Sequence, residues 1–410
     1  MKIRSVTSFV PVSKESFIKE DILTKLKAFN EDILTAFDHS DFEVQSIRCA
    51  TNPFPEYLSN LELDKAIKAT QQIETGFLDV GFDYVSIGTV GVDQTEYFKW
   101  IPELIKETNN VFATAQMVSF DQRRISLKAI KAISSIMKGL SKVEANGFGN
   151  LYFAGLANVP GGIPFLPAAY KSAEDKSFSY ALAMESADLA VSAFSSAHTL
   201  DEAADTYCRL VEENAALVEA IVVPIGQRHG LEFLGFDFTP APFVIHECSA
   251  GYGFEKLTGQ SVGELSSVSA AAFLMSVLDE AKFKRSGFNG LMLPVLEDNV
   301  LALRVAEGKL SLKDLLLFST VCGTGLDTVP LPGDITEQQL QAILMDVASL
   351  SVRLNKPLTA RLMPIPGKKA GQMTSFDFPF FTNSRVMSPK CSGLSGLFSS
   401  SDSFKLVSRI

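Results

Sequence analysis

Five acidic residues stand beside or within short apolar runs, and one arginine stands inside such a run. Asp327 and Asp334 flank most of the run at residues 326–331, Glu297 and Asp298 follow the run at 290–295, and Asp237 sits in the run at 232–238. Carboxylates at strand ends can bind Mg²⁺ or Ca²⁺, or act as acid and base when one of them is desolvated. We take Asp237, Glu297, Asp298 and Asp327 as catalytic candidates, with Glu297 and Asp298 also as metal ligands. Arg361 lies within the apolar stretch 359–365. An arginine buried in a strand needs an anionic partner, from the protein or from a ligand. The turn Pro366-Gly367-Lys368-Lys369 presents backbone N–H groups and lysine to an anion. Arg361, Lys368 and Cys322 are the substrate-contact candidates.

Each has an ordinary structural alternative. Asp334 is a natural helix N-cap, with Glu337 three residues on. The Glu297-Asp298 pair and Asp237 also fit solvated turns, and Lys368-Lys369 a solvated surface. Cys322 sits in a glycine turn after a helix, where the helix dipole disfavours a thiolate. That favours a small packed residue over a nucleophile. His246-Glu247-Cys248 cannot all bind one ion, because neighbours in a strand point to opposite faces. No P-loop pattern supports a nucleotide site.

The elements that must carry these residues alternate. Strands are expected at 3–10, 42–49, 84–90, 111–118, 151–157, 178–184, 232–238, 290–295, 326–331 and 359–365, with residues 189–194 pairing with or extending the strand at 178–184, and 299–305 extending the one at 290–295 or returning beside it. Helices are expected at 17–37, 66–78, 98–108, 127–140, 201–223, 262–283 and 312–321, and again between 334 and 354, where Leu340, Ile343, Leu344, Val347, Leu350 and Leu354 recur at helical spacing. This is the pattern of an α/β fold with a parallel sheet, whose ligands lie at the strand C-terminal ends. No linker stands out, so residues 1–370 form one domain. Residues 371–410 form an extension, aromatic at 376–381 and rich in serine and glycine at 388–403, read as a mobile surface segment with a last short strand at 404–407 at most.

At 410 residues, 46% hydrophobic and 20% charged, the composition is that of a soluble globular protein. A net charge of −10 argues against nucleic acid as the main partner. Five scattered cysteines without a CxxC pair fit a reducing compartment. No apolar run reaches the length of a membrane span or signal peptide, so the expected location is the cytoplasm.

The segments STVCGTGLDTVPLPGD and LTARLMPIPGKKAG, supported by FDFTPAP, GFNGLMLPVLED and NVPGGIPFLPAAYKS, resemble the DUF711 (UPF0210) family, also called the PFL family. The resemblance implies a ten-stranded α/β barrel related to pyruvate formate-lyase and anaerobic ribonucleotide reductase, and a small ACT-domain protein as partner. It does not bring a radical site. Where glycyl-radical enzymes carry their radical glycine, this chain has Ser388 in Arg385-Val386-Met387-Ser388-Pro389. A serine α-carbon is harder to planarise, so no glycyl radical is expected.

The expectation is an enzyme of unassigned reaction class, a homodimer, acting on a small anionic metabolite in a barrel-end pocket. Its alternative is a non-catalytic metabolite binder that partners an ACT-domain protein. Arg361 is expected to meet the bound anion rather than a protein carboxylate.

Overall fold

The computed structural model describes residues 1–14, 17–119, 123–172, 175, 177–321 and 323–409. Cys322 therefore lies outside the described residues. The strands in chain order are β1 (Lys2–Val10), β2 (Ile47–Thr51), β3 (Tyr84–Val90), β4 (Val111–Gln116), β5 (Val118–Ser119), β6 (Arg124–Ser126), β7 (Phe153–Ala157), β8 (Ser179–Glu185), β9 (Glu232–Asp237), β10 (Gly325–Pro332), β11 (Leu358–Ile365) and β12 (Ser403–Lys405). Nine of them form one sheet in the order β10-β11-β7-β4-β3-β2-β1-β8-β9, and β12-β6-β5 form a second, small one.

In the large sheet β1, β2, β3, β4 and β7 run parallel to one another. The pairs β8–β9 and β10–β11 are each parallel internally and join the central group antiparallel, through β1 and β7. C-terminal ends of four strands therefore share one end of the sheet with N-terminal ends of five. The segment 285–294 reaches both edge strands through isolated parallel bridges, Phe236 with Arg285 and Pro294 with Asp327.

Strands covered on both faces read as continuous apolar runs, and β4, β7, β8, β10 and β11 are buried throughout. Alternate residues serve opposite faces. Val6 and Val10 pack with helix residues such as Leu26, Phe29 and Ile33, while Phe9 packs with Leu166 and Ala169 from the loop after β7. That loop runs along the face opposite the helices and is held to the strands by hydrogen bonds. Thr7 Oγ1 donates to the Pro164 carbonyl at 2.8 Å and Ser86 Oγ to that of Ala169 at 2.6 Å.

Several expected elements differ. Residues 290–295 make only the single bridge at Pro294, and 299–305 lie in a helix, Asn299–Ala306. Asp298 caps that helix, and a cap followed by an apolar stretch is a helix-start signal that overrides the apolar run. Residues 189–194 lie in the helix Ala187–Ser196, whose buried Ala187, Ala190, Val191 and Phe194 fall at helical spacing. The strand expected over 42–49 is confined to β2 and one bridge at Val44. The long helix expected over 262–283 is Ser267–Glu280, preceded by Ala250–Thr258, which a glycine-rich stretch conceals. The helix after β10 is capped by Thr336 with Gln339 in a reciprocal capping box, not by Asp334.

The extension from residue 371 is folded against the body. Phe376, Phe381, Val386 and Met387 are buried, Met387 N donates to the Pro330 carbonyl at 2.8 Å, and β12 pairs with β6. Aromatic residues at 376–381 supply the apolar area that the serine content alone does not suggest. Phe376 packs edge-on against Phe381, with centroids 5.1 Å apart. Phe376→Ala should cost about 3 kcal/mol in urea unfolding. A loss of no more than ~0.5 kcal/mol, as for a surface position, would return the extension to a loose segment.

Candidate functional site

Arg361 projects from the middle of β11 opposite a break in β10. The register runs Leu326↔Ala360 and then Val329↔Leu362, so Asp327 and Thr328 together oppose Arg361. This is a bulge. Thr328 takes the left-handed region at φ 40°, a setting rare for a β-branched residue and costing on the order of 1–3 kcal/mol. In return Asp327 is aimed at the guanidinium. Its Oδ1 accepts from Arg361 Nε at 2.5 Å and from Thr328 N at 3.0 Å, and its Oδ2 accepts from Arg361 Nη2 at 3.0 Å.

The contacts continue as an alternating chain of charges. Arg361 Nη2 also donates to Glu297 Oε1 at 2.8 Å, Glu297 Oε2 accepts from Arg4 Nη2 at 2.5 Å, and Arg4 Nη1 donates to Glu185 Oε2 at 3.1 Å. Glu185, Glu297, Asp327 and Arg361 are buried, and the Arg4 side chain is 13% exposed. Burial pushes the Arg361 guanidinium down, and Asp327 and Glu297 more than reverse this, so its pKa ends above the ordinary arginine value. Burial raises the Glu185 carboxyl above the usual glutamate range, against the opposing pull of Arg4.

A third arginine stands apart from this pairing. Arg48, the second residue of β2, donates from Nε to Ser46 Oγ at 2.9 Å and lies 5.8 Å from the centroid of the Tyr84 ring. Among the described residues neither of its Nη groups has an acceptor, and no carboxylate lies within ion-pair distance. Burial, and then the neighbouring Arg4 guanidinium, push its pKa down to about 10. Arg4, Arg48, Arg361, Glu297 and Asp327 line one cavity of about 170 Å³. The remaining wall is largely aromatic, with Phe378, Phe380 and Phe381 contributed by the C-terminal extension. The Gln45 side chain also lines it, and its buried Oε1 has no donor.

Of the expected site residues, the structure brings Glu297, Asp327 and Arg361 together in this cavity. Arg361 meets protein carboxylates, which overturns the expectation that its partner is a ligand. Asp237 and Asp298 are engaged elsewhere. Asp237 accepts from the backbone N–H groups of Thr239, Phe288 and Asn289 and from Thr239 Oγ1, fastening the end of β9 to the 286–289 turn. Asp298 accepts from Ser249 Oγ, Gly251 N, Val300 N and Leu301 N. Burial raises the pKa of both, while these donors pull it down.

Glu297 and Asp298 thus spend their oxygens on different partners. Among the described residues no group of three His, Cys, Asp or Glu gathers as a metal site. Lys368 lies in the turn after β11 and does not line the cavity, while Lys369 lines a separate depression with Asp334 and Cys391.

Arg4, Arg48 and Glu185 were missed. The signal that singled out Arg361, an arginine inside an apolar strand, is present at Arg4 in β1 and at Arg48 in β2. The cavity also sits at an unexpected end. It meets the N-terminal ends of β1–β4 and β7, where Arg4, Arg48, Tyr84, Phe112 and Tyr152 lie.

Fold and site together define a mixed α/β protein with a buried arginine–carboxylate chain on the wall of a small cavity. The family model described as "Uncharacterised ACR (DUF711)" matches residues 1–384, and the chain belongs to that family. It is 26% identical over 349 residues to a UPF0210 protein of Syntrophobacter fumaroxidans, covering 80% of this chain and 76% of the relative. A UPF0210 protein of Pyrobaculum arsenaticum is 28% identical over 297 residues, covering 71% of this chain and 65% of the relative. One of Oenococcus oeni is 24% identical over 352 residues, covering 82% and 78%. Among the described residues no helix is long and apolar enough to cross a membrane.

Removing one partner of a buried ion pair strands the other charge. Arg361→Ala leaves Asp327 and one oxygen of Glu297 unpaired, so the ligand-free protein should lose on the order of 3–5 kcal/mol in chemical unfolding. The double variant Arg361→Ala/Asp327→Ala should recover part of that. A single-variant loss below ~1 kcal/mol, typical of an exposed pair, would contradict a desolvated network.

Proposed function

We propose that this protein is an enzyme of unassigned reaction class whose cavity takes a small anionic metabolite on Arg48. The observation that carries the reading is the half-buried Arg48, which lines the cavity and whose two Nη groups have no acceptor among the described residues. Its planar fork matches a carboxylate or phosphate. Glu297 and Asp327, held in place by Arg4 and Arg361, would set the electrostatics around the reacting atoms.

The same reading treats the large sheet as a barrel of the expected pyruvate formate-lyase kind, closed by residues 285–294. The bridges from that segment to β9 and β10 support it. The cavity would then be at one barrel mouth. A cytoplasmic location is supported by Cys49, Cys208, Cys248 and Cys391, all of them free.

The alternative, a non-catalytic metabolite binder partnering an ACT-domain protein, has one separate observation for its non-catalytic part. Glu185, Glu297 and Asp327 each already accept from arginine, so none of the three is left free as a base.

Thermal unfolding in the presence of carboxylate and phosphate metabolites tests the shared part of both readings. A ligand at a hundredfold its Kd should stabilise the wild type by about 2.7 kcal/mol. Arg48→Gln should melt near the wild type without ligand and show none of this gain. Stabilisation that survives Arg48→Gln would overturn the assignment. Turnover of the stabilising compound selects the enzyme over the binder.

A further inference from the structure

The rest of the cavity wall restricts which anion Arg48 can hold. Arg4 and Arg361, the other two lining guanidiniums, already have carboxylate partners, and Glu297 and Asp327 face the cavity as negative charges. A second negative charge on the ligand would find no unpaired lining cation among the described residues and would meet two carboxylates. The site therefore suits one negative charge rather than a dicarboxylate or a phosphate dianion.

The body of the ligand is restricted by the rings. Tyr84 and Phe112 meet edge to face at 5.7 Å, Phe112 and Tyr152 at 5.0 Å, Phe148 and Tyr152 at 6.1 Å, and Phe148 and Phe378 at 5.0 Å. These five side chains form a continuous belt along the wall, and all of them line the cavity. Arg48 lies over Tyr84, at one end of that belt. An anion on Arg48 thus has aromatic surface directly beside it. An apolar cavity of about 150 Å³ holds one benzene ring, and this one measures about 170 Å³. A guest ring can extend the edge-to-face pattern of the belt.

We propose that the ligand is a monocarboxylate bearing one planar ring, with its carboxylate on the Nη groups of Arg48 and its ring against the Tyr84–Phe112–Tyr152–Phe148 belt. This rests on the small-anion reading above and names its chemical class.

Calorimetric titration of the full chain with benzoate, acetate, succinate and benzamide tests it. Benzoate should bind at least about tenfold more tightly than each of the other three. Arg48→Gln should lose at least about tenfold for benzoate, and Phe148→Leu should weaken benzoate while leaving acetate unchanged. Unfolding curves of both variants without ligand separate lost binding from lost folding. Should acetate or succinate match benzoate, with Arg48 still required, the ring-bearing class falls and the small-anion pocket stands. If benzamide matches benzoate, or benzoate ignores Arg48→Gln, docking on Arg48 is wrong and both readings fall together. Absence of heat with all four at millimolar concentration overturns the ring-bearing class and leaves the Arg48 assignment to the wider metabolite screen.

Discussion

The chain Glu185–Arg4–Glu297–Arg361–Asp327 ties together parts of the protein that are far apart in sequence. Its links span 181, 293, 64 and 34 residues. They join the end of β8, the start of β1, the loop before the helix Asn299–Ala306, and the β11–β10 pair near one edge of the sheet. None of these charges is well solvated, so each holds its neighbours in place because loss of contact would leave an ion in a poor solvent. The bulge at Asp327 and Thr328 belongs to the same constraint. A left-handed threonine is tolerated in a buried strand because it turns Asp327 to a guanidinium that would otherwise lack that partner.

Counting charges shows why Arg48 matters. The chain holds three carboxylates and two guanidiniums, and Arg48 beside Arg4 brings the group to three of each. The group is therefore balanced overall while one cation lacks contact with any of the anions. Any attraction of the proposed site for an anion would be local and depend on geometry rather than on a net positive field. An acidic protein, at a net −10, is compatible with the proposed anion site on these terms.

Much of this could be read from the sequence, and the limits have physical causes. Most sheet strands were legible because buried parallel strands are continuous apolar runs, as at 84–90 and 359–365. The helix Asn299–Ala306 was not, because Val300, Leu301, Ala302 and Val305 suit either period over so short a stretch. Among the acids, Asp327 and Asp298 look alike in sequence, each beside an apolar segment. Tertiary contact makes Asp327 an arginine partner, whereas Asp298 caps its helix locally through Val300 N and Leu301 N. Arg4 and Arg48 were legible by the test that found Arg361, since the cost of burying a guanidinium does not depend on which strand carries it. The part played by the extension was hidden differently. Serine and glycine set its average composition, while the few phenylalanines at 376–381 decide where it packs.

The position of the cavity follows from mixed strand direction. In a wholly parallel sheet the strand C-terminal ends lie together, and sequence order alone tells which loops meet at the ligand. Here the β8–β9 and β10–β11 pairs run against the five central strands. One end of the sheet therefore collects residues that close four strands and residues that open five. Glu185 ends β8, whereas Arg4, Arg48 and Tyr84 stand within the first three residues of β1, β2 and β3. Opposite charges can then face each other across antiparallel neighbours, as Arg4 and Glu185 do across β1 and β8. A search confined to C-terminal ends overlooks Arg4 and Arg48, which stand near strand N-termini. Among the described residues, the strand-opening ones include Arg48, the cavity-lining guanidinium without a carboxylate partner.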